Sequence, residues 1–139
     1  MCLNLTPQSR RVFINLGASL NHGTGNIVGQ LLDEYERFGI RFDHIYANEV
    51  NFTNSEKVYG SHLAKRYIPS YHWINVGVNP EEGHRLNPLH SKLMKYNEDN
   101  FVVFKMDVDT NSMMEGKIKD SLDLFHGLRA RGIPAHFWP

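Results

Sequence analysis

A single cysteine, Cys2, is all the thiol chemistry in this chain. An intramolecular disulfide and a multi-cysteine zinc site are therefore excluded, and the position of Cys2 near a chain end makes it a poor candidate for a catalytic thiol. Net charge is missing as well. Fifteen basic residues balance fifteen acidic ones, which removes the bulk attraction that nucleic acid or an acidic membrane would exert. No apolar run approaches the roughly 20 residues of a membrane-spanning helix, and residues 1–11 lack the basic start and apolar core of a secretion signal. Repeats and low-complexity segments are absent too. These absences predict a cytoplasmic protein with no nucleic-acid partner and no membrane attachment, and the 139 residues predict one domain, residues 1–139, large enough to bury a core.

What the chain does contain is organised around residues 11–26, where an apolar run gives way to small polar residues and then to a helical pattern. Val12, Phe13, Ile14 and Leu16 read as a buried strand, and Gly17 opens a turn that a residue with a Cβ enters only at a cost. Asn26 is placed to cap a helix carrying Ile27, Val28, Leu31, Leu32, Tyr35 and Phe38. Such a loop presents backbone N–H groups at the positive end of a helix dipole, the place where open α/β sheets bind nucleotides and related cofactors.

Downstream, Phe38-Gly39 reads as a helix stop and residues 40–48 as a second strand ending at Glu49. A helix between two strands favours a parallel pair with a right-handed crossover, which puts Glu49 and the Gly17 loop at one sheet edge. Asn54 or Ser55 caps a modest helix through Val58, Leu63 and Ala64, ended by Pro69. Residues 71–77 form the third expected strand, followed by a turn over residues 79–83 and a loop with one short helix over residues 84–100. Residues 101–109 make the strongest strand, apolar on both faces and finishing on Asp107 and Asp109. A helix through Leu122, Phe125 and Leu128 and a last strand over residues 133–138 complete the pattern. The fold class is α/β: a Rossmann-like open sheet of about five mainly parallel strands with helices on both faces.

The candidate site combines the loop, Glu49 and the two aspartates. Gly17-Ala18-Ser19 followed by Gly23-Thr24-Gly25 does not match the dinucleotide fingerprint, and glycines in such a loop are often turn residues alone. Glu49 sharpens the case, because an acid at the end of the second strand is placed to accept hydrogen bonds from both hydroxyls of a ribose. Its alternative reading is a solvated strand-end carboxylate. Asp107 and Asp109, two apart in a strand, point the same way and suit orienting a ligand, acting as a base or holding a divalent ion. A plain polar strand terminus is the competing reading. The eight histidines form no i, i+4 pair beside a glutamate on a convincing helix, so no metal is expected.

Four segments carry a family resemblance: Val-Phe-Ile-Asn-Leu-Gly-Ala (residues 12–18), Tyr-Ala-Asn-Glu-Val (46–50), Phe-Val-Val-Phe-Lys-Met-Asp-Val-Asp (101–109) and Leu-Phe-His-Gly-Leu-Arg-Ala-Arg-Gly-Ile (124–133). In this order the chain resembles FkbM-type S-adenosylmethionine-dependent methyltransferases, particularly the plant and algal version. The resemblance implies that Asn15, Gly17, Ala18 and Ser19 form the methionine-side loop and that Glu49 holds the ribose hydroxyls. It implies further that Asp107 sits beside the transferring methyl group, with Asp109 next to it. The acceptor is expected to be an oxygen of a small molecule or glycan, whose methylation needs alignment and often a base.

Departures from the family accompany the resemblance. Asn15 stands where the family usually has Asp, keeping hydrogen-bonding capacity but losing the charge that attracts a sulfonium or ammonium group. Ser19 replaces a common Asn, and Asn48 an aromatic residue. Residues 110–120 stand where relatives carry a longer segment with another helix and strand, and the sequence stops at Pro139 without the usual closing antiparallel strands. Two further expectations follow: a shortened, non-catalytic relative acting as a binding or interaction module, and a homo-oligomer formed through an unfinished sheet edge. A dinucleotide-binding oxidoreductase is weaker, because the glycine spacing is wrong and no second domain is present to carry the hydride acceptor.

Overall fold

The computed structural model describes residues 5–18, 27–79, 81, 83–91, 95–96 and 99–106. Four strands, β1 (Arg11–Leu16), β2 (His44–Asn48), β3 (Tyr71–Ile74) and β4 (Phe101–Met106), form one sheet in the order β3-β2-β1-β4. Every pairing is parallel. β1 lies inside, flanked by β2 and β4, and Val12 to Leu16 are buried without interruption. A strand covered on both faces has no solvent side on which a polar residue gains anything, hence the unbroken apolar run around Asn15.

Alternation along the strands builds two cores. Phe13, Ile45, Ala47 and Tyr71 point to one face, where Leu32 is buried with them and Val28, Leu31 and Tyr35 of helix α1 (Ile27–Arg37) pack alongside. Positions 28, 31, 32 and 35 recur at helical spacing, so α1 turns one stripe to the sheet. Aromatic rings lock its end: Phe42 meets Phe13 edge-on at 5.3 Å and Tyr35 at 5.2 Å, and lies nearly parallel to Phe101 at 6.3 Å. The opposite face gathers Val12, Ile14, Leu16 and Val102, with Tyr46, Phe104 and Met106 from the strands and Val78 and Tyr96 from outside them.

The stop after α1 is a Schellman closure. Gly39 takes φ +76°, its N–H reaches Glu36 O at 2.9 Å, and Ile40 N–H reaches Tyr35 O at 3.0 Å. Glycine suits that position because it carries no Cβ to clash in the left-handed region.

Several elements are shorter than their sequence pattern suggests. The second strand begins at His44 rather than residue 40, because Phe42 turns into the aromatic core and Asp43 closes on Arg11 through paired bonds: Asp43 N–H to Arg11 O and Arg11 N–H to Asp43 Oδ2, both 2.8 Å. β3 stops at Ile74, opposite Asn48, where its pairing partner also ends. The segment from Asn54 is not one helix. Asn54 caps α2 (Ser55–Lys57), with its side chain accepting Glu56 N–H at 2.8 Å, but the chain then widens into a π-type turn over Val58–His62. Leu63 is extended, and a 3₁₀ helix follows over Lys65–Ser70 with Pro69 inside it. Buried Val58 and Tyr67 anchor the two ends of this path to the core. A short helix, α3 (Pro88–Ser91), occupies the expected irregular stretch. The expected helix through Leu122 and the fifth strand lie outside the described residues. No helix among the described residues is long and apolar enough to cross a membrane.

Candidate functional site at the carboxyl edge of the sheet

The register aligns the strand ends. Leu16 pairs with Asn48 and with Met106, and Asn48 pairs with Ile74. All four strands thus finish on one line, and the loops after β1 and β2 leave from the same rim, as the parallel arrangement requires. One carbonyl ties these loops together: Asn48 O accepts the N–H groups of both Gly17 and Ala18, each at 3.0 Å. Gly17 adopts φ +78° to make this turn. These two amides are therefore spent on the protein itself instead of standing open for a ligand. Ser19, and the residues up to Asn26 that lead into α1, lie outside the described residues.

Glu49 follows β2 directly and is 4% exposed. Its N–H continues the ladder to Ile74 O at 3.0 Å, and its Oε1 accepts Asn51 N–H at 2.8 Å. The loop that carries the acid is fastened from β3 by Asn75, whose Nδ2 donates to Glu49 O and Asn51 O at 2.8 Å each while its Oδ1 accepts Thr53 N–H at 3.0 Å. Beyond the buried acid the chain turns apolar and outward: Val50 and Phe52 are 72% and 89% exposed.

Asn15 is the second unusual residue here. It is completely buried, and among the described residues neither its Oδ1 nor its Nδ2 has a hydrogen-bond partner. It pairs in register with Ala47 on one side and Lys105 on the other, and Ala47 pairs with Trp73, whose indole Nε1 is also buried without a partner. On the opposite face, Asn48 Oδ1 is unpartnered as well. An unsatisfied buried amide costs about 1 to 3 kcal/mol; of the five buried polar atoms without a partner among the described residues, four belong to Asn15, Asn48 and Trp73, and the fifth is Arg11 Nε at the opposite end.

Asp107 and Asp109 follow β4 in sequence and lie outside the described residues. Among the expected site residues the structure therefore brings Asn15, Gly17, Ala18 and Glu49 to one rim. Sequence reading passed over Asn75. The expected strand over residues 71–77 enclosed it; only the end of β3 at Ile74 frees its amide to supply both donors and an acceptor to neighbouring backbone.

A separate polar cluster sits toward the amino end of β2 and β3. His44 Nδ1 and His72 Nε2 are 3.1 Å apart, Tyr46 stacks on His72 at 4.8 Å, and Lys95 donates to Tyr46 Oη at 3.0 Å. Among the described residues no group of three or more histidine, cysteine, aspartate or glutamate side chains is arranged to hold a metal ion. In comparisons with family models, curated proteins and solved structures, the chain matches none.

Proposed function

We propose that this chain is an S-adenosylmethionine-binding, methyltransferase-like protein on a Rossmann-like sheet, acting on an oxygen of a small molecule or glycan. The observation that carries the reading is Glu49: a buried carboxylate at the end of the strand next to β1, on the same rim as the Gly17 turn. That is the position from which an acid meets ribose hydroxyls in open α/β sheets. Two further features support it. Asn15 offers an unpartnered buried amide one residue before the end of β1, suited to a ligand's carboxylate or ammonium group. Exposed Val50 and Phe52 beside the acid offer apolar surface to a flat base. In this reading Asp107 and Asp109 serve the acceptor side, where one carboxylate orients the attacking hydroxyl and takes up its proton.

Titration calorimetry with S-adenosylmethionine and with its demethylated product tests the proposal. Binding raises thermal stability by mass action; no heat and no stabilisation from either compound at millimolar concentration overturns it. A non-catalytic interaction module is the second reading, favoured by the engagement of the Gly17 and Ala18 amides by Asn48 O and of Glu49 Oε1 by Asn51. Replacement Glu49→Gln separates the two, weakening ligand binding about 10- to 100-fold in the first and changing nothing in the second.

A further inference from the structure

The segment 49–53 leaves the sheet after one further ladder bond, from Glu49 N–H to Ile74 O at 3.0 Å, and it carries the buried acid. Beyond that bond, one side chain of the β3 end makes several of its backbone contacts. Asn75 follows the last residue of β3, and its single amide makes three hydrogen bonds to this segment: two donated, to Glu49 O and Asn51 O at 2.8 Å each, and one accepted, from Thr53 N–H at 3.0 Å. Both amide protons and the oxygen are thereby used, so Asn75 extends the β2–β3 ladder through a side chain after the strands have ended. Asn51, which Asn75 holds by its carbonyl, donates its own N–H to Glu49 Oε1 at 2.8 Å. The path from Asn75 to the carboxylate is thus two bonds long: Nδ2 to Asn51 O, and Asn51 N–H to Glu49 Oε1.

We infer that Asn75 is the positioning residue of the site, fixing the direction of the Glu49 carboxylate through Asn51 so that it meets the paired hydroxyls of a ribose-bearing ligand. This inference rests on the ligand class proposed above. Its chemistry is specific to asparagine at this place. Asn75→Asp keeps an acceptor for Thr53 N–H but loses both donors and sets a negative charge against two carbonyl oxygens. Asn75→Ala removes all three bonds with little change elsewhere, because the side chain touches loop backbone rather than core.

Two measurements on the full chain test it, one needing no ligand. Hydrogen exchange of Asn75→Ala is expected to show faster exchange at the Asn51 and Thr53 amides, with the β1 and β4 amides unchanged. Unaltered protection at Asn51 and Thr53 overturns the clasp. The second measurement compares adenosine with 2′,3′-dideoxyadenosine by titration calorimetry. The parent is expected to bind adenosine more tightly, and Asn75→Ala and Glu49→Gln are each expected to lose that preference by roughly tenfold, with no further loss in the double variant. Faster exchange with an unchanged preference makes Asn75 structural only and overturns the positioning role. A parent that binds both nucleosides equally, or neither, with the exchange result standing, refutes the ligand class and takes the positioning role with it.

Discussion

The two ends of this sheet are built on opposite principles. At the amino end, near the start of β1 and β4, Phe13, Tyr35, Phe42 and Phe101 interlock, and Asp43 closes on Arg11 through bonds that leave neither backbone group wanting. At the carboxyl end, Asn15, Asn48 and Glu49 are buried where apolar side chains would pack without penalty, and among the described residues Asn15 has no partner for either amide atom. The two ends differ in degree: among the described residues the amino end leaves one buried polar atom without a partner, Arg11 Nε, whereas the carboxyl end leaves Asn15 Oδ1 and Nδ2, Asn48 Oδ1 and Trp73 Nε1. On the proposed function, the unpartnered groups of the carboxyl end are where a ligand is to be sought.

Phe13→Ala tests the stabilising end most severely. The ring is fully buried between Phe42 and the neighbouring strands, and its removal is expected to cost about 3 to 5 kcal/mol in urea unfolding. Ligand affinity of the fraction that stays folded should not change; a parallel loss of affinity would show that the two ends are not separable.

Glu49→Gln probes the other end. Glutamine retains an oxygen for Asn51 N–H but not the charge that strengthens the bond, so unfolding free energy should fall by about 1 kcal/mol. Affinity for the demethylated cofactor should fall by about 10- to 100-fold, the range of a charge-assisted hydrogen bond, read by calorimetry.

Asn15→Leu reverses the usual sign of a core substitution. Replacing an unpartnered amide by an apolar group of similar size should raise stability by about 1 to 2 kcal/mol while weakening ligand binding. Destabilisation instead would mean that the amide is satisfied in solution, and the contrast between the ends would lose its main support.

The smallest effect concerns neither end but the strap joining α1 to the 3₁₀ helix, where the Tyr67 hydroxyl donates to Asp33 at 2.6 Å and to Glu36 at 3.1 Å and Arg66 pairs with both acids. Burial, then the bond to Asp33, raises the Tyr67 phenol to about 12. Unfolded tyrosine ionises near pH 10, so the folded state holds this proton longer. The contribution is fully present below about pH 10 and is lost as pH rises through about 12. Comparing Tyr67→Phe with the parent by denaturation across that interval should show a shallower alkaline decline in the variant, by on the order of 1 kcal/mol. The decline will not vanish, because burial also raises the phenol of Tyr71.

Much of this architecture was legible in the residue order. Val12, Phe13, Ile14 and Leu16 announced a buried strand, the spacing of Val28, Leu31, Leu32 and Tyr35 announced α1, and Phe38-Gly39 announced its end. The alternation of strand and helix implied parallel pairing, which sets Glu49 on the rim of the Gly17 turn. Less legible were the places where a side chain replaces backbone pairing. Residues 40–43 carry strand-like residues, yet Phe42 leaves the ladder for an aromatic cluster assembled from α1 and β4. The segment after Asn54 has helical spacing, but anchoring both Val58 and Tyr67 to the core breaks its regularity.

The site divides in the same way. Residue order pointed to Glu49 and the Gly17 turn, because residue type and distance from a strand end are local properties, whereas Asn15 entered only through the family resemblance. That Asn48 O consumes the Gly17 and Ala18 amides, that Asn15 lies wholly buried without a partner, and that Asn75 reaches across to hold the acid's loop are facts about residues distant in sequence. Periodicity records which face a residue occupies. Which donor finds which acceptor is fixed only when the strands are set side by side.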